Sequence, residues 1–137
     1  LELDQEQAAF GFFTAADQQW VIARITPVGE QKMTEVAADH CESWQGLGVA
    51  ILHRLIMDTL LAKPGLPKPE YVHLVEEVTH GLKHGDEDGS RFPLAALVMP
   101  ATLEHIQTIS QHAERMPAKS TYFYPKLLSG LVINPLE

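Results

Sequence analysis

A chain of 137 residues with 45% hydrophobic side chains has room for one globular domain. Its net charge of −8 argues against nucleic-acid binding, and it has no apolar run near the roughly 18 residues that a membrane-spanning helix needs. The single cysteine, Cys41, excludes an internal disulfide and suits a reducing, cytoplasmic compartment. The chain begins without a methionine or a signal peptide, so we expect residues 1–137 to be a single domain cut from a longer protein.

A β-hairpin is the first predicted element. Two β-rich runs, AAFGFFTA at 8–15 and WVIARI at 20–25, are separated by a short polar stretch. Residues 30–46 show no clear period, and we expect one short helix there. The clearest predicted helix covers residues 48–62 and ends before Pro64. Its predicted buried stripe recurs at helical spacing: Val49, Leu52, Ile56 and Leu60.

Strands and helices alternate in the second half of the chain. Residues 71–74 predict a short strand, and residues 75–83 predict a short amphipathic helix. The continuous apolar run at 93–99 is typical of a strand that is covered on both faces. Thr102 is a good N-cap for a helix over 102–114. That helix is expected to bury one stripe: Leu103, Ile106, Ile109 and Ala113.

Two further strands are predicted at 120–124 and 130–134. The order of elements therefore predicts an α+β fold, with a mixed β-sheet, about three helices packed as a layer, and hairpin-like pairs of strands at both ends.

Three groups of chemically active residues have weak signals. Three histidines are spaced for one face of a single helix: His73, His80 and His84. Gly81 weakens that helix, so we predict a solvated polar face and no metal site. The GDEDG turn at 85–89 is followed by neither the Gly nor the Glu of a calcium-binding loop. Cys41 lies beside His40 without an identifiable third partner, so we expect a partly buried thiol with no catalytic role.

His53 lies on the apolar side of the predicted helix 48–62, beside Leu52 and Ile56. A polar ring in such a place needs a hydrogen-bond partner. Two interpretations stay open, a core histidine held by a backbone carbonyl and a histidine at the floor of a pocket.

A basic stretch near the end, ERMPAKSTYFYPKLLSG at 114–130, has the strongest signal for a binding site. Residues 105–135 carry +2 while the remaining residues carry −10. In an extended strand, one face presents three hydroxyls and an ammonium that suit an anion such as phosphate or carboxylate. These side chains are Ser120, Tyr122, Tyr124 and Lys126. The alternative is an edge strand whose aromatic residues simply pack. Lys119-Ser120-Thr121 is not a P-loop, because the preceding Gly-rich loop is missing.

The same residues, with those that follow to Asn134, resemble the C-terminal signature of the bacterial and archaeal domain of unknown function 1015 family. LHRLIM at 52–57 resembles that family's Leu-His helix motif. The order of Phe10-Gly11, Tyr71-Val72-His73 and the Pro-Thr helix start near Thr102 also fits, so the resemblance covers nearly the whole chain. One departure is Gly48, where the family's helix usually opens with Asp.

The resemblance implies that this chain is the C-terminal fragment of a longer protein with no settled activity. Some family members carry a phosphatase label. Their upstream part holds an Asp-Gly-His-His-Arg motif similar to the nucleotide-binding box of ParB-like proteins, and nothing in this chain matches it. The residues that match the family's motifs are His53, Met116, Pro117, Lys119, Ser120, Thr121, Phe123, Pro125, Lys126 and Gly130.

Two functional hypotheses follow. In the first, the domain is an accessory module that binds a small anion, phosphate or nucleotide, and completes a cleft with the upstream ParB-like domain, which would allow phosphoryl transfer in the longer protein. Its predicted ligand-binding residues are His53, Lys119, Ser120, Thr121, Tyr122, Tyr124 and Lys126. In the second, the same strand docks on the upstream domain or on a second copy, with no ligand of its own. The sequence assigns no catalytic residue and no cofactor.

Overall fold

The computed structural model describes residues 6–62, 69–85 and 91–122. Its strands are β1 (Ala9–Thr14), β2 (Gln19–Arg24) and β3 (Leu94–Val98). Its α-helices are α1 (Pro27–Val36), α2 (Glu42–Gln45), α3 (Gly48–Ala50), α4 (Val75–His84) and α5 (Leu103–Gln111), and α3 continues directly into a π-helix (Ile51–Leu60).

The three strands form one antiparallel sheet in the order β2-β1-β3. The predicted N-terminal hairpin is confirmed, with Gly11 opposite Ile22 on one side and opposite Leu97 on the other. The α+β class is confirmed as well, although the described strands pair antiparallel throughout instead of forming a mixed sheet. The strand predicted at 120–124 is wrong over 120–122, and its remainder, like 130–134, lies outside the described residues.

The core lies between the inner face of β1 and the helices. Alternate residues of a strand face opposite sides, so Phe10 and Phe12 point together towards the helical layer, where Phe10 is buried and Phe12 packs at the edge of the core. Leu47 and Ile109 are fully buried there and bring the start of α3 and the middle of α5 into one cluster. Burial of each such side chain stabilises the fold by about 1.5–3 kcal/mol.

Two helices, α1 and α2, occupy the region around residues 30–46, where the sequence predicted one short helix. Thr26 caps α1 by accepting the Gly29 N–H at 3.2 Å, and Pro27 occupies the first turn, where its missing N–H costs nothing. In α1 the buried residue is Met33. With so little apolar surface, α1 gave no clear period in the sequence.

The predicted helix at 48–62 is confirmed, but it changes type after Ala50. The Leu61 N–H donates to the Ile56 carbonyl at 2.8 Å, which is the i→i+5 bond of a π-helix. The wider turn shifts the buried face to Ile51 and Leu55. Leu60, which α-helical spacing predicted to be buried, is 68% exposed.

Two further predictions about strands are wrong. Residues 71–74 are not a strand, because the Glu77 carboxylate takes the N–H groups of His73 and Leu74 at 2.9 Å each and begins α4 there. Residues 94–98 do form β3, but they are not covered on both faces. Leu94 is exposed and the other four residues are half-buried. The strand lies at the margin of the described sheet, where one layer of helices covers one face.

The predicted cap of α5 is confirmed, since the Thr102 Oγ1 accepts the His105 N–H at 3.3 Å. Ile109 is fully buried as predicted, whereas Leu103 is 70% exposed and Ala113 is exposed, so the predicted stripe is wrong at both ends. Ala113 has φ 58°, a left-handed value that stops the helix before it. Within the described ranges no helix is long and apolar enough to cross a membrane.

Candidate functional site

A broad cleft runs beside the π-helix. Its walls come from that helix, from residues 69–74, from α4 and β3, and from residues 119–122. The cleft has a volume of about 2,830 Å³, several times the roughly 300–1,000 Å³ of a small-molecule pocket. A ligand of ordinary size would therefore occupy one part of it, and the polar side chains indicate which part.

Tyr71 forms the centre of the polar part. Its hydroxyl is joined to the His53 Nε2 by a hydrogen bond of 3.2 Å, and the two rings meet edge to face with centroids 5.8 Å apart. The Lys119 Nζ lies 6.0 Å from the centroid of the same Tyr71 ring, a cation–π distance. Two residues that the sequence singled out 66 positions apart thus meet around a third that it did not assign to the site.

His53 is half-buried, and burial lowers the pKa of its imidazole below the ordinary 6.5, while the Asp58 carboxylate acts in the opposite direction. The ring is therefore mostly neutral at pH 7, with one nitrogen able to donate and the other able to accept. Its side-chain partner is the Tyr71 hydroxyl, and it lies on the wall of a cleft.

Residues 119–122 do not form the extended strand on which the predicted face depended. Lys119 has φ 62°, and a turn occupies 118–119. The Ser120 hydroxyl donates to the Pro117 carbonyl at 2.6 Å, so its proton is held by the turn. Thr121 lines the cleft and is exposed. Tyr124 and Lys126 lie outside the described residues.

Tyr122 contacts a second aromatic position of the cleft. Its ring lies 4.0 Å from the ring of His73 between centroids, with a tilt of 34°. The Glu77 carboxylate fixes the backbone that carries His73, and these hydrogen bonds, first from Leu74 and then from His73, lower the pKa of Glu77. The carboxylate thus stays ionised and holds the His73–Tyr122 pair at the cleft wall.

The charge of the cleft differs from that of the basic stretch. Of the residues described along its walls, one carries a permanent positive charge, Lys119. Four carry carboxylates: Asp58, Glu70, Glu76 and Glu77. Among these described residues the positive charge therefore lies at the corner where Lys119 meets Tyr71. That corner suits a ligand with one anionic group better than one with several.

A second group of polar residues joins the end of α5 to the loop before α2. Glu114 Oε2 lies 2.8 Å from His40 Nδ1, and its Oε1 accepts the Cys41 N–H at 2.7 Å. The His40 ring stacks on Trp44 at 3.7 Å, and the Trp44 Nε1–H donates to the Arg115 carbonyl at 3.1 Å.

This arrangement acts as a structural clamp. The hydrogen bonds, chiefly that from His40, lower the pKa of Glu114, so its carboxylate stays ionised and ties the end of α5 to the start of α2. The sequence predicted a partly buried Cys41, and its side chain is half-buried.

The three histidines of the weak metal motif are used in other ways. His80 and His84 stack at 4.2 Å on α4, and His73 pairs with Tyr122. Within residues 6–62, 69–85 and 91–122, no group of three or more His, Cys, Asp or Glu side chains is arranged to hold a metal ion.

No family model, no curated protein and no solved structure matches the chain. The resemblance to the domain of unknown function 1015 family therefore stays a prediction, and the candidate site depends on the geometry of its residues.

Sequence reasoning missed Tyr71 and His73 as members of the site. Both residues belong to the Tyr-Val-His segment, for which the sequence predicts a strand. A different signal was available in the sequence. Glu77 lies four residues after His73, a spacing at which its carboxylate can accept the backbone N–H of His73 and begin a helix there.

Proposed function

We propose that this domain is a binding module for a small anionic ligand, a phosphorylated metabolite or a nucleotide. The observation that carries the proposal is the convergence of His53 and Lys119 on Tyr71, at 3.2 Å and 6.0 Å, in a cleft with largely apolar walls. Lys119 would neutralise the anion, and the His53–Tyr71 pair would donate or accept a hydrogen bond beside it.

The aromatic residues extend the proposal from a bare anion to a ligand with a flat ring. Tyr71, His73 and Tyr122 all line the cleft, where a base or another planar group would gain stacking contacts. With one cation among four carboxylates along the described walls, a monophosphate is favoured over a triphosphate.

The size of the cleft supports the second part of the proposal, that an upstream ParB-like domain completes the site. A volume of about 2,830 Å³ leaves space that no small ligand would fill. A second body that entered the cleft would enclose the ligand and exclude water. Phosphoryl transfer would then depend on the upstream motif, with this domain supplying binding and orientation.

The test is an NMR titration of the full 137-residue chain with inorganic phosphate, then with AMP and ATP. We expect shifts centred on residues 53, 71, 73 and 119–122, and tighter binding of AMP than of phosphate. Lys119→Ala removes one charge-assisted hydrogen bond of about 1.5–3 kcal/mol, so affinity is expected to fall about tenfold or more.

Lys83→Ala is the matched control, because Lys83 is an exposed lysine of α4 that does not line the cleft. It removes the same charge and should leave binding unchanged. Equal affinity of the Lys119→Ala and Lys83→Ala chains would refute the site. A flat response to all three ligands would favour the alternative, a domain whose 119–126 stretch is a structural or docking surface.

A further inference from the structure

β2 has an apolar edge exposed to solvent. Trp20, Val21 and Ile22 are consecutive, and they are 44%, 53% and 42% exposed. In the described part of the chain β2 is the outermost strand of the sheet, with β1 on one side. Proteins usually protect such an edge with a lysine, a proline or a β-bulge. β2 contains neither residue, and its pairing with β1 runs without a bulge from Gln19 to Arg24.

The backbone groups on the free edge follow from the pairing with β1. The Ile25 N–H donates to the Ala8 carbonyl at 3.0 Å, so these two residues form a hydrogen-bonded pair next to the strand. Hydrogen-bonded pairs alternate along an antiparallel ladder, so Val21 and Ala23 also direct their N–H and C=O groups to β1. The intervening residues direct theirs to the opposite edge, which none of the described strands covers: Trp20, Ile22 and Arg24.

We propose that this edge pairs with β2 of a second copy of the chain, antiparallel and around a two-fold axis at Ile22. Residues whose backbone groups face outwards must pair with each other, which excludes registers displaced by one residue. Ile22 then lies opposite the partner's Ile22, and Trp20 lies opposite the partner's Arg24. Two three-stranded sheets become one continuous six-stranded sheet with isologous contacts.

The charge pattern of β2 favours its own copy as the partner. Arg24 is the one charged residue of the strand, and in this register it faces an indole, the best ring for a cation–π contact, rather than another arginine. Registers displaced by two residues place Arg24 opposite Gln18 or Ile22 and lose that contact. Glu6 already holds the Arg24 Nε at 3.0 Å, which leaves the flat guanidinium available to stack.

An apolar groove on the sheet extends the contact surface. It has a volume of about 250 Å³ and is lined in part by Gly11, Ile22 and Leu97. Gly11 has no side chain and lies between Ile22 and Leu97 in the ladder, so the surface dips there. Side chains of a second copy along β2 would cover this groove together with Trp20 and Ile22.

Sedimentation velocity over a hundredfold range of concentration tests the proposal. The measurement should be made at physiological salt, because two copies that each carry a net charge of −8 repel each other at low ionic strength. We expect the wild-type mass to rise with concentration from 15.2 kDa towards twice that value. Ile22→Lys places two ammonium groups together at the two-fold axis and should keep the chain monomeric.

Val28→Lys is the matched control. Val28 is 75% exposed in the first turn of α1, so the same substitution adds the same charge away from β2 and should leave the dimer intact. A wild-type chain that stays monomeric over the whole range overturns the proposal. So does an Ile22→Lys chain that associates as the wild type does.

Hydrogen exchange in the wild-type chain locates the interface without any substitution. The amides of Trp20, Ile22 and Arg24 should become protected as concentration rises, because they gain partners across the two-fold axis. The amides of Val21 and Ala23 donate to β1 and should be protected at every concentration. Association with no added protection at the three outward amides would place the dimer contact on another surface and refute β2 pairing.

Discussion

Gly48 is expected to be intolerant of any side chain. Gly48 opens α3 and is buried. Its N–H donates to the Gln7 Oε1 at 3.1 Å. A Cβ added to Gly48 would lie 2.8 Å from the Gln7 backbone carbonyl oxygen. Backbone cannot rotate away as a flexible side chain does, so the N-terminal segment or α3 has to move.

The free-energy cost of adding a side chain at Gly48 follows from that distance. Ordinary van der Waals contact begins at 3.4 Å, so the two segments must separate by several tenths of an ångström in a packed interior. Overpacking of this kind costs about 1–3 kcal/mol, and the gain in helix propensity from Gly to Ala offsets up to about 1 kcal/mol of it. We therefore expect Gly48→Ala to lower the free energy of unfolding by about 1–2 kcal/mol. Gly48→Asp should cost more, because it also buries a carboxylate beside a carbonyl oxygen.

Urea unfolding followed by tryptophan fluorescence measures the change. Gly46→Ala is the matched control, because Gly46 is exposed, has φ −77°, and would place a Cβ at 3.5 Å from the nearest atom. Its midpoint should stay the same or rise slightly. Equal midpoints for Gly48→Ala and Gly46→Ala would refute the close approach. A Gly48→Asp chain as stable as the wild type would refute it as well.

Three further measurements address particular side chains. Glu114→Gln should lower the urea midpoint at neutral pH. The pKa of Glu114 is held below its ordinary 4.5, chiefly by the His40 hydrogen bond. The difference in urea midpoint between the wild type and the variant should therefore be full above pH 4.5 and vanish as pH falls through the folded-state pKa. A difference in midpoint that persists in acid would contradict this. His53 should titrate below its ordinary 6.5 in ring NMR spectra, and Asp58→Asn should lower that pKa further; a value above 6.5 would mean that burial does not dominate. Thr102→Ala should cost about 0.5–2 kcal/mol by loss of the α5 cap, and an unchanged thermal midpoint would contradict the cap.

The elements that the sequence predicted correctly are those with a strong local signal. The hairpin at 8–25 has two β-rich runs around a polar turn, and Thr102 directly precedes the residues of α5. The errors arise where tertiary contacts decide. Residues 71–74 have strand propensity, but the Glu77 carboxylate takes two of their N–H groups. The predicted stripe over 48–62 depends on the 3.6 residues per turn of an α-helix, and the sequence does not indicate the i→i+5 bonding that exposes Leu60.

The sequence could indicate some residues of the candidate site, but it could not indicate how they are arranged. His53 was singled out because a polar ring on an apolar helical face needs a partner, and Lys119 because a basic stretch interrupts an acidic chain. Their meeting at Tyr71 depends on a turn at 118–119 with a left-handed Lys119, which an extended-strand interpretation excludes. Long-range contacts of this kind leave no periodic trace in one sequence.

The two proposed surfaces are centred on opposite margins of the described sheet, and Leu97, Val98 and Met99 of the β3 side line both the cleft and the apolar groove. β3 lines the cleft, and β2 carries the exposed edge, with β1 between them. Pairing two copies through β2 therefore leaves the two β3 strands, which line the clefts, at the outer ends of the six-stranded sheet. The Ile22→Lys monomer should accordingly bind AMP with wild-type affinity, and Lys119→Ala should dimerise as the wild type does. A change in ligand affinity on loss of the dimer would show that the cleft and the edge are coupled, which the order β2-β1-β3 does not predict.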